Sequence, residues 1–163
     1  MTPLRLVGAA VIFLCAMATV REYSAFCHRR IAQSAAFLRF VRHIGDRVCV
    51  YLVPIGTAAR EFDDGELSGV GFLDAVRSGG SLRSAFELSL GKLLISEQER
   101  ELLSSFFKEF GSAYIDDERV RVEKMNAALL RIHTDEEKKT KESEKVVRTL
   151  VLALALGIII LIL

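Results

Sequence analysis

The sequence predicts an all-α protein, a small helical bundle flanked by an N-terminal and a C-terminal transmembrane helix. Three observations lead there. Apolar residues recur at three-, four- and seven-residue steps through the middle of the chain, the period of one helix face. An apolar run without a charge stands near each end. The chain has two prolines and no tryptophan, is rich in Leu, Ala, Glu, Lys and Arg, and shows no strand-type alternation. Its 163 residues leave room for one modest domain plus anchors. The expected boundaries are 1–22 for an N-terminal anchor, 23–145 for a helical domain with a charged C-terminal stalk, and 146–163 for the C-terminal span.

The first apolar run, Leu6 to Val20, follows Arg5 and is short for a span. It reads as an uncleaved anchor. The alternative is a signal peptide with Arg5 as its basic region and Ala16 and Ala18 at a cleavage site. Ile31, Leu38, Val41, Val48 and Leu52, widened by Phe37, Phe40 and Ile44, then mark a helix studded with arginines. Pro54 suits the first turn of the next helix, whose inner side is Ile55, Ala58, Ala59 and Phe62. Asp63-Asp64-Gly65 reads as a solvated loop.

Leu67, Val70, Leu73 and Val76 define one short helix. Ser78-Gly79-Gly80-Ser81 is a turn with Ser81 as N-cap, not a phosphate loop, because the Lys-Ser/Thr ending is absent. Leu82, Ala85, Phe86 and Ser89 share the face that follows, and Gly91 suits the residue after that helix. Ser96 and Glu99 make a capping box for a helix through Leu102, Leu103, Phe106, Phe107 and Phe110, which Gly111 ends. Asp116 or Asp117 is expected to cap one long final helix. Its apolar stripe is Val122, Met125, Leu129 and Ile132, and no Pro or Gly interrupts it from Asp117 to Leu156. Acid-to-base pairs at i, i+4, such as Glu137 to Lys141, suit a solvated helix. From Val146 the last 18 residues span roughly 27 Å as a helix, close to a bilayer core.

Charge sets the expected orientation. Six arginines against two acids lie between Arg21 and Arg47, and Lys138, Lys139, Lys141, Lys145 and Arg148 precede the final run. Both signals put the middle of the chain on the cytoplasmic side of a cell membrane, with the arginine-studded helix near anionic lipid. A net charge of +1 argues against a nucleic-acid partner. Cys15, Cys27 and Cys49 fit no metal motif, and His28, His43 and His133 are scattered with no nucleophile at useful spacing. No catalytic, cofactor-binding or metal residue is therefore named. Candidate partner contacts are the charges Glu97, Glu101, Arg119 and Arg121. Ala153 and Gly157 are candidates for close helix packing in the membrane, including self-association.

One order of signals has a known counterpart. Gly71-Phe72-Leu73, Gly80-x-Leu82-x-x-Ala85-Phe86, Leu90-Gly91 and Ser96-Glu97-Gln98-Glu99-Arg100 lie between an N-terminal span and a charged helix that ends in a second span. This resembles the stage III sporulation protein AB family over nearly the whole chain. The resemblance implies a fold like the cytoplasmic helical domain of the type II secretion F protein. It also implies a non-enzymatic platform in a secretion-like complex between mother cell and forespore. The partners implied are a cytoplasmic secretion-type ATPase and other stage III sporulation membrane proteins. The competing reading is an exported, C-terminally anchored adaptor or sensor with a cleaved signal peptide.

Overall fold

The computed structural model describes the backbone of residues 3–162 and the side chains of residues 7–160. The side chain of Arg5 and the end of the final apolar run (Leu161, Ile162 and Leu163) were singled out from the sequence and lie outside the described side chains. Among the described residues the chain is all helical, with no strand. It divides into two compact units, one built from Met1–Arg29 with Glu136–Leu163, the other from Arg30–Asp135.

Helix α1 runs unbroken from Pro3–Gly45, so the apolar run and the arginine-studded segment are one element. A π-helical turn, Asp46–Val50, follows. Next come α2 (Ile55–Glu61), α3 (Gly65–Gly69), α4 (Phe72–Arg77) and α5 (Leu82–Ser89), then a 3-10 turn at Leu90–Lys92. Helices α6 (Glu97–Glu109) and α7 (Ile115–Ile162) complete the chain.

The core of the second unit is aromatic. Phe37 and Phe40 of α1 meet Phe72 of α4 edge-on, at centroid distances of 5.5 and 5.1 Å. Phe37 also meets Phe86 of α5 at 5.7 Å, and Phe107 of α6 lies 5.4 Å from Phe86 and 5.8 Å from Phe72. These rings are buried and form one cluster with Val41, Ile44, Leu67, Leu73 and Leu103. Val122, Met125 and Leu129 close it from α7, three of the four stripe residues read from the sequence; Ile132, the fourth, is buried as well. Leu82, Ala85, Phe86 and Ser89 are all buried, as the spacing on α5 requires.

Several boundaries differ from the sequence reading. The apolar stripe of α1 holds through Ile44, but Leu52 is exposed. The π turn, with Tyr51 N–H donating to Asp46 O at 3.3 Å, slips the helical phase by a residue, and Leu52 then takes φ 55°. Pro54 is the N-cap of α2 and not its first residue, because its ψ of 137° is extended. Leu67 to Val76 is two helices and not one, broken where Gly71 takes φ 83°. Gly91 sits inside the 3-10 turn and does not supply a left-handed C-cap.

Polar anchors fix the turns. Asp64 is no solvated loop residue: it caps α3 by accepting from Glu66 N and Leu67 N, and it pairs with Arg39 at 2.5 Å. Asp63 pairs with Arg77 at 2.8 Å. Ser81 and Ser96 cap α5 and α6 as expected, accepting from Ser84 N and Glu99 N. At the start of α7 the anchoring acid is neither Asp116 nor Asp117. Glu118, whose side chain is 3% exposed, accepts from Gly111 N and Ala113 N, both at 3.0 Å, and from Arg121 at 2.9 Å. Its carboxylate thus satisfies amides that precede the helix and gains a cation one turn on. Gln33 Oε1 accepts from Leu94 N at 2.7 Å, which ties α1 to the segment before α6. His133 is half-buried against Ser34 (3.2 Å) and not a free surface residue.

Two glycines are steric necessities. A Cβ on Gly45 would stand 2.3 Å from Val122 Cγ1, so α1 and α7 meet this closely only with glycine there. Gly111 has φ 92°, and a Cβ would stand 2.3 Å from Ile55 Cδ1.

In the first unit the outer parts of α1 and α7 lie side by side. Ser24 Oγ donates to the Glu144 carboxylate, and Ala16, Cys27, Thr140 and Ala155 are buried. Of the expected i, i+4 pairs, Glu137–Lys141 closes at 2.7 Å. Helix α1 is, among the described residues, the one helix long and apolar enough to cross a membrane, with an 18-residue window of mean hydropathy 1.4. Only 6% of that window is buried inside the protein, so this apolar stretch, unlike the later turns of α1, is not part of the core.

Two stability outcomes follow from this packing. Phe72→Ala should lower unfolding free energy by about 3–5 kcal/mol, read by chemical denaturation followed by far-UV circular dichroism. Gly111→Ala should cost about 1–3 kcal/mol by the same measurement, from left-handed strain and overpacking against Ile55; an unchanged midpoint would contradict the close approach.

Candidate functional site

Helix α6 presents the most developed surface of the helical unit. Its inner face, Leu103, Phe106 and Phe107, is committed to the core. Its outer face is bordered by two clefts. One, of about 410 Å³, has Phe86 and Leu90 as apolar lining, with Arg100, Glu101, Lys108 and Glu109 supplying charge. The other, of about 280 Å³, lies toward α7, where Leu102, Phe106 and Met125 face Arg121 and Lys124. Each cleft thus combines an apolar lining with side chains of both charges.

The structure separates the four candidate contacts. Glu97 and Glu101 are exposed one turn apart on α6, and Glu97 pairs with Arg100 at 3.1 Å. Arg119 is exposed, yet its guanidinium donates to Cys49 O at 3.2 Å and fastens the π turn to α7. Arg121 is half-buried, donating to Glu109 O at 2.8 Å and pairing with Glu118. The two acids lie on the exposed face, Glu97 paired with Arg100 of its own helix, whereas the two arginines hold the body together. Sequence reasoning missed Arg100, Lys108 and Glu109. Arg100 lies three residues after Glu97, and Lys108 and Glu109 lie seven and eight after Glu101, a helical repeat that could have found them.

Each unit also exposes apolar residues. In the second unit Val50, Tyr51 and Leu52 form an exposed tip at the end of the π turn, with Arg47 over the Tyr51 ring at 5.7 Å. Ala153 and Gly157 lie on the exposed side of α7, where they share a groove of about 460 Å³ with Leu150, Leu154 and Ile158. A Cβ on Gly157 would meet nothing within 4 Å, so this face is open.

The reactive side chains stand apart. His43 Nε2 donates to Ala58 O at 3.1 Å and the ring packs on Phe62, and Cys27 and Cys49 are buried. Among the described residues no three His, Cys, Asp or Glu side chains converge to hold a metal.

Comparison with curated proteins and with solved structures gave no match. The family described as Stage III sporulation protein AB (spore_III_AB) matches residues 5–163. With that match running from the first apolar stretch through the helical body to the end of α7, the chain belongs to the stage III sporulation protein AB family and has a role in sporulation.

Proposed function

We propose that the chain is a non-enzymatic membrane platform of a secretion-like sporulation complex between mother cell and forespore, which recruits a cytoplasmic secretion-type ATPase. The family match over residues 5–163 carries this reading. On it, the helical body is akin to the cytoplasmic domain of the type II secretion F protein. Other stage III sporulation membrane proteins are its neighbours, on the mother-cell side. The charged face of α6, with Glu97 and Glu101 beside the 410 Å³ cleft, is the surface proposed for the ATPase.

The reading places a second span at residues 146–163. Leu150, Leu154, Leu156, Ile158 and Ile160 support it, being apolar and exposed along α7 with no protein over them. Such a stripe favours lipid over water by about 25 cal/mol per Å² covered. The open groove at Ala153 and Gly157 supports a second copy as the packing partner there. Orientation with the body in the cytoplasm rests on the arginines that follow the first apolar run and the lysines that precede the second.

Two measurements test this. Glu97→Lys with Glu101→Lys should weaken co-purification of the ATPase about three- to tenfold with the fold intact, since rim charges tune association more than stability. Undiminished binding would exclude this face. Arg121→Glu makes a poor probe of binding, because it should cost the body about 1–3 kcal/mol by putting a like charge in place of the cation beside buried Glu118. Topology is read with Leu88→Cys, at a site 78% exposed, in a chain whose own three cysteines are replaced. An impermeant maleimide should label it only after lysis. Labelling in intact cells would reverse the orientation and favour the exported adaptor.

A further inference from the structure

The outer parts of α1 and α7 enclose a cleft of about 400 Å³ whose lining changes character along its length. At one level stand Met17, Val20 and Leu152. About one helical turn on, Arg21 comes from α1 and Arg148 from α7. Beyond them Ser24 holds the Glu144 carboxylate, and His28 follows. The apolar level is continuous with both apolar runs, because that of α1 precedes Arg21 in sequence and that of α7 follows Arg148.

Two guanidinium groups from two helices thus border one cleft whose lining holds a single carboxylate, that of Glu144, which leaves an excess of positive charge. Like charges brought to one cleft repel unless an anion lies between them. Guanidinium presents a planar fork of donors that fits phosphate oxygens, and it is more weakly hydrated than an ammonium group. A soluble phosphate would satisfy the arginines but would leave Met17, Val20 and Leu152 lining empty space. An amphiphile satisfies both levels at once.

We propose that this cleft binds one anionic phospholipid, with its phosphodiester between Arg21 and Arg148 and an acyl chain along Met17, Val20 and Leu152. Basic clefts between helices at the cytoplasmic boundary are the setting in which such headgroups are held. Glu144 sets the selectivity: a second negative charge beside the phosphate would meet it, so a headgroup with one net charge fits best. The inference rests on the reading that the apolar ends of both helices lie in a bilayer.

The test uses full-length protein extracted in a mild detergent and examined by native mass spectrometry. Wild type should retain an anionic phospholipid, and Arg21→Gln with Arg148→Gln should reduce the lipid-bound fraction about tenfold. Arg60→Gln with Arg83→Gln removes the same charge elsewhere and should leave the lipid in place. Equal retention by the Arg21/Arg148 variant, or retention of zwitterionic lipid in preference, overturns the proposal. Phenylglyoxal protection separates the two sources of phosphate. If inorganic phosphate alone shields Arg21 and Arg148 from the reagent as well as phosphatidylglycerol does, the site takes a soluble anion and the lipid assignment falls. Alkaline carbonate extraction of the same proteins separates the layers of the argument. Protein that stays with the membrane but binds no lipid at the cleft sinks the site alone; protein released to the supernatant sinks the membrane placement with it.

Discussion

Edge-to-face packing of Phe37 and Phe40 against Phe72, Phe86 and Phe107 is the interaction on which the helical body depends. Helices α2 to α5 are each eight residues or shorter. No peptide of that length holds a helix in water, since nucleation is unfavourable and few bonds follow it. These helices persist because they pack on a cluster that the long α1 organises: α2 through Ala58 and Ala59, α3 through Leu67, α4 through Phe72, Leu73 and Val76, and α5 through Leu82 and Phe86. Side-chain caps at Asp64, Ser81 and Ser96 mark where α3, α5 and α6 begin, and the buried apolar contacts hold the short helices in place. Aromatic pairs add about 0.5–1.5 kcal/mol beyond their buried area, so a cluster of this size is a large share of a marginal stability.

That division of labour explains what a reader of the sequence sees. Periodicity identified the buried stripes of α5 and α7, and on α6 Leu103, Phe106 and Phe107, because a helix shows its inner face every three or four positions; it did not mark the buried Glu99. Serine caps were legible for the same local reason. What escaped was set by tertiary geometry. The left-handed Gly71 splits a run whose apolar spacing is continuous. The π turn moves Leu52 off a stripe that spacing alone would extend to it. Glu118 reads as one more acid at a helix start, yet it is the buried group that gathers two amides and a guanidinium.

The candidate surface was half legible for a related reason. Charge marks a residue as solvated, and Glu97 and Glu101 are. It does not tell whether a long side chain turns back to a carbonyl, as Arg119 does to Cys49 and Arg121 does to Glu109. Arginine has five donors and a flexible stem, so it serves as a fastener at the rim of a fold as readily as it serves a partner. The family assignment gives the chain its place in sporulation, and the physical reading adds which parts of that surface are at liberty to bind.

The aromatic core has an optical consequence. Every ring in it is phenylalanine apart from the flanking His43, and the chain has no tryptophan. Two of its three tyrosines, Tyr51 and Tyr114, are 67% and 87% exposed. The third, Tyr23, is half-buried and belongs to the other unit, so no tyrosine lies in the aromatic core. Loss of that core would leave Tyr51 and Tyr114 emitting from water throughout. A fluorophore introduced at Phe107, where four elements of the body converge, would give the interior a signal of its own.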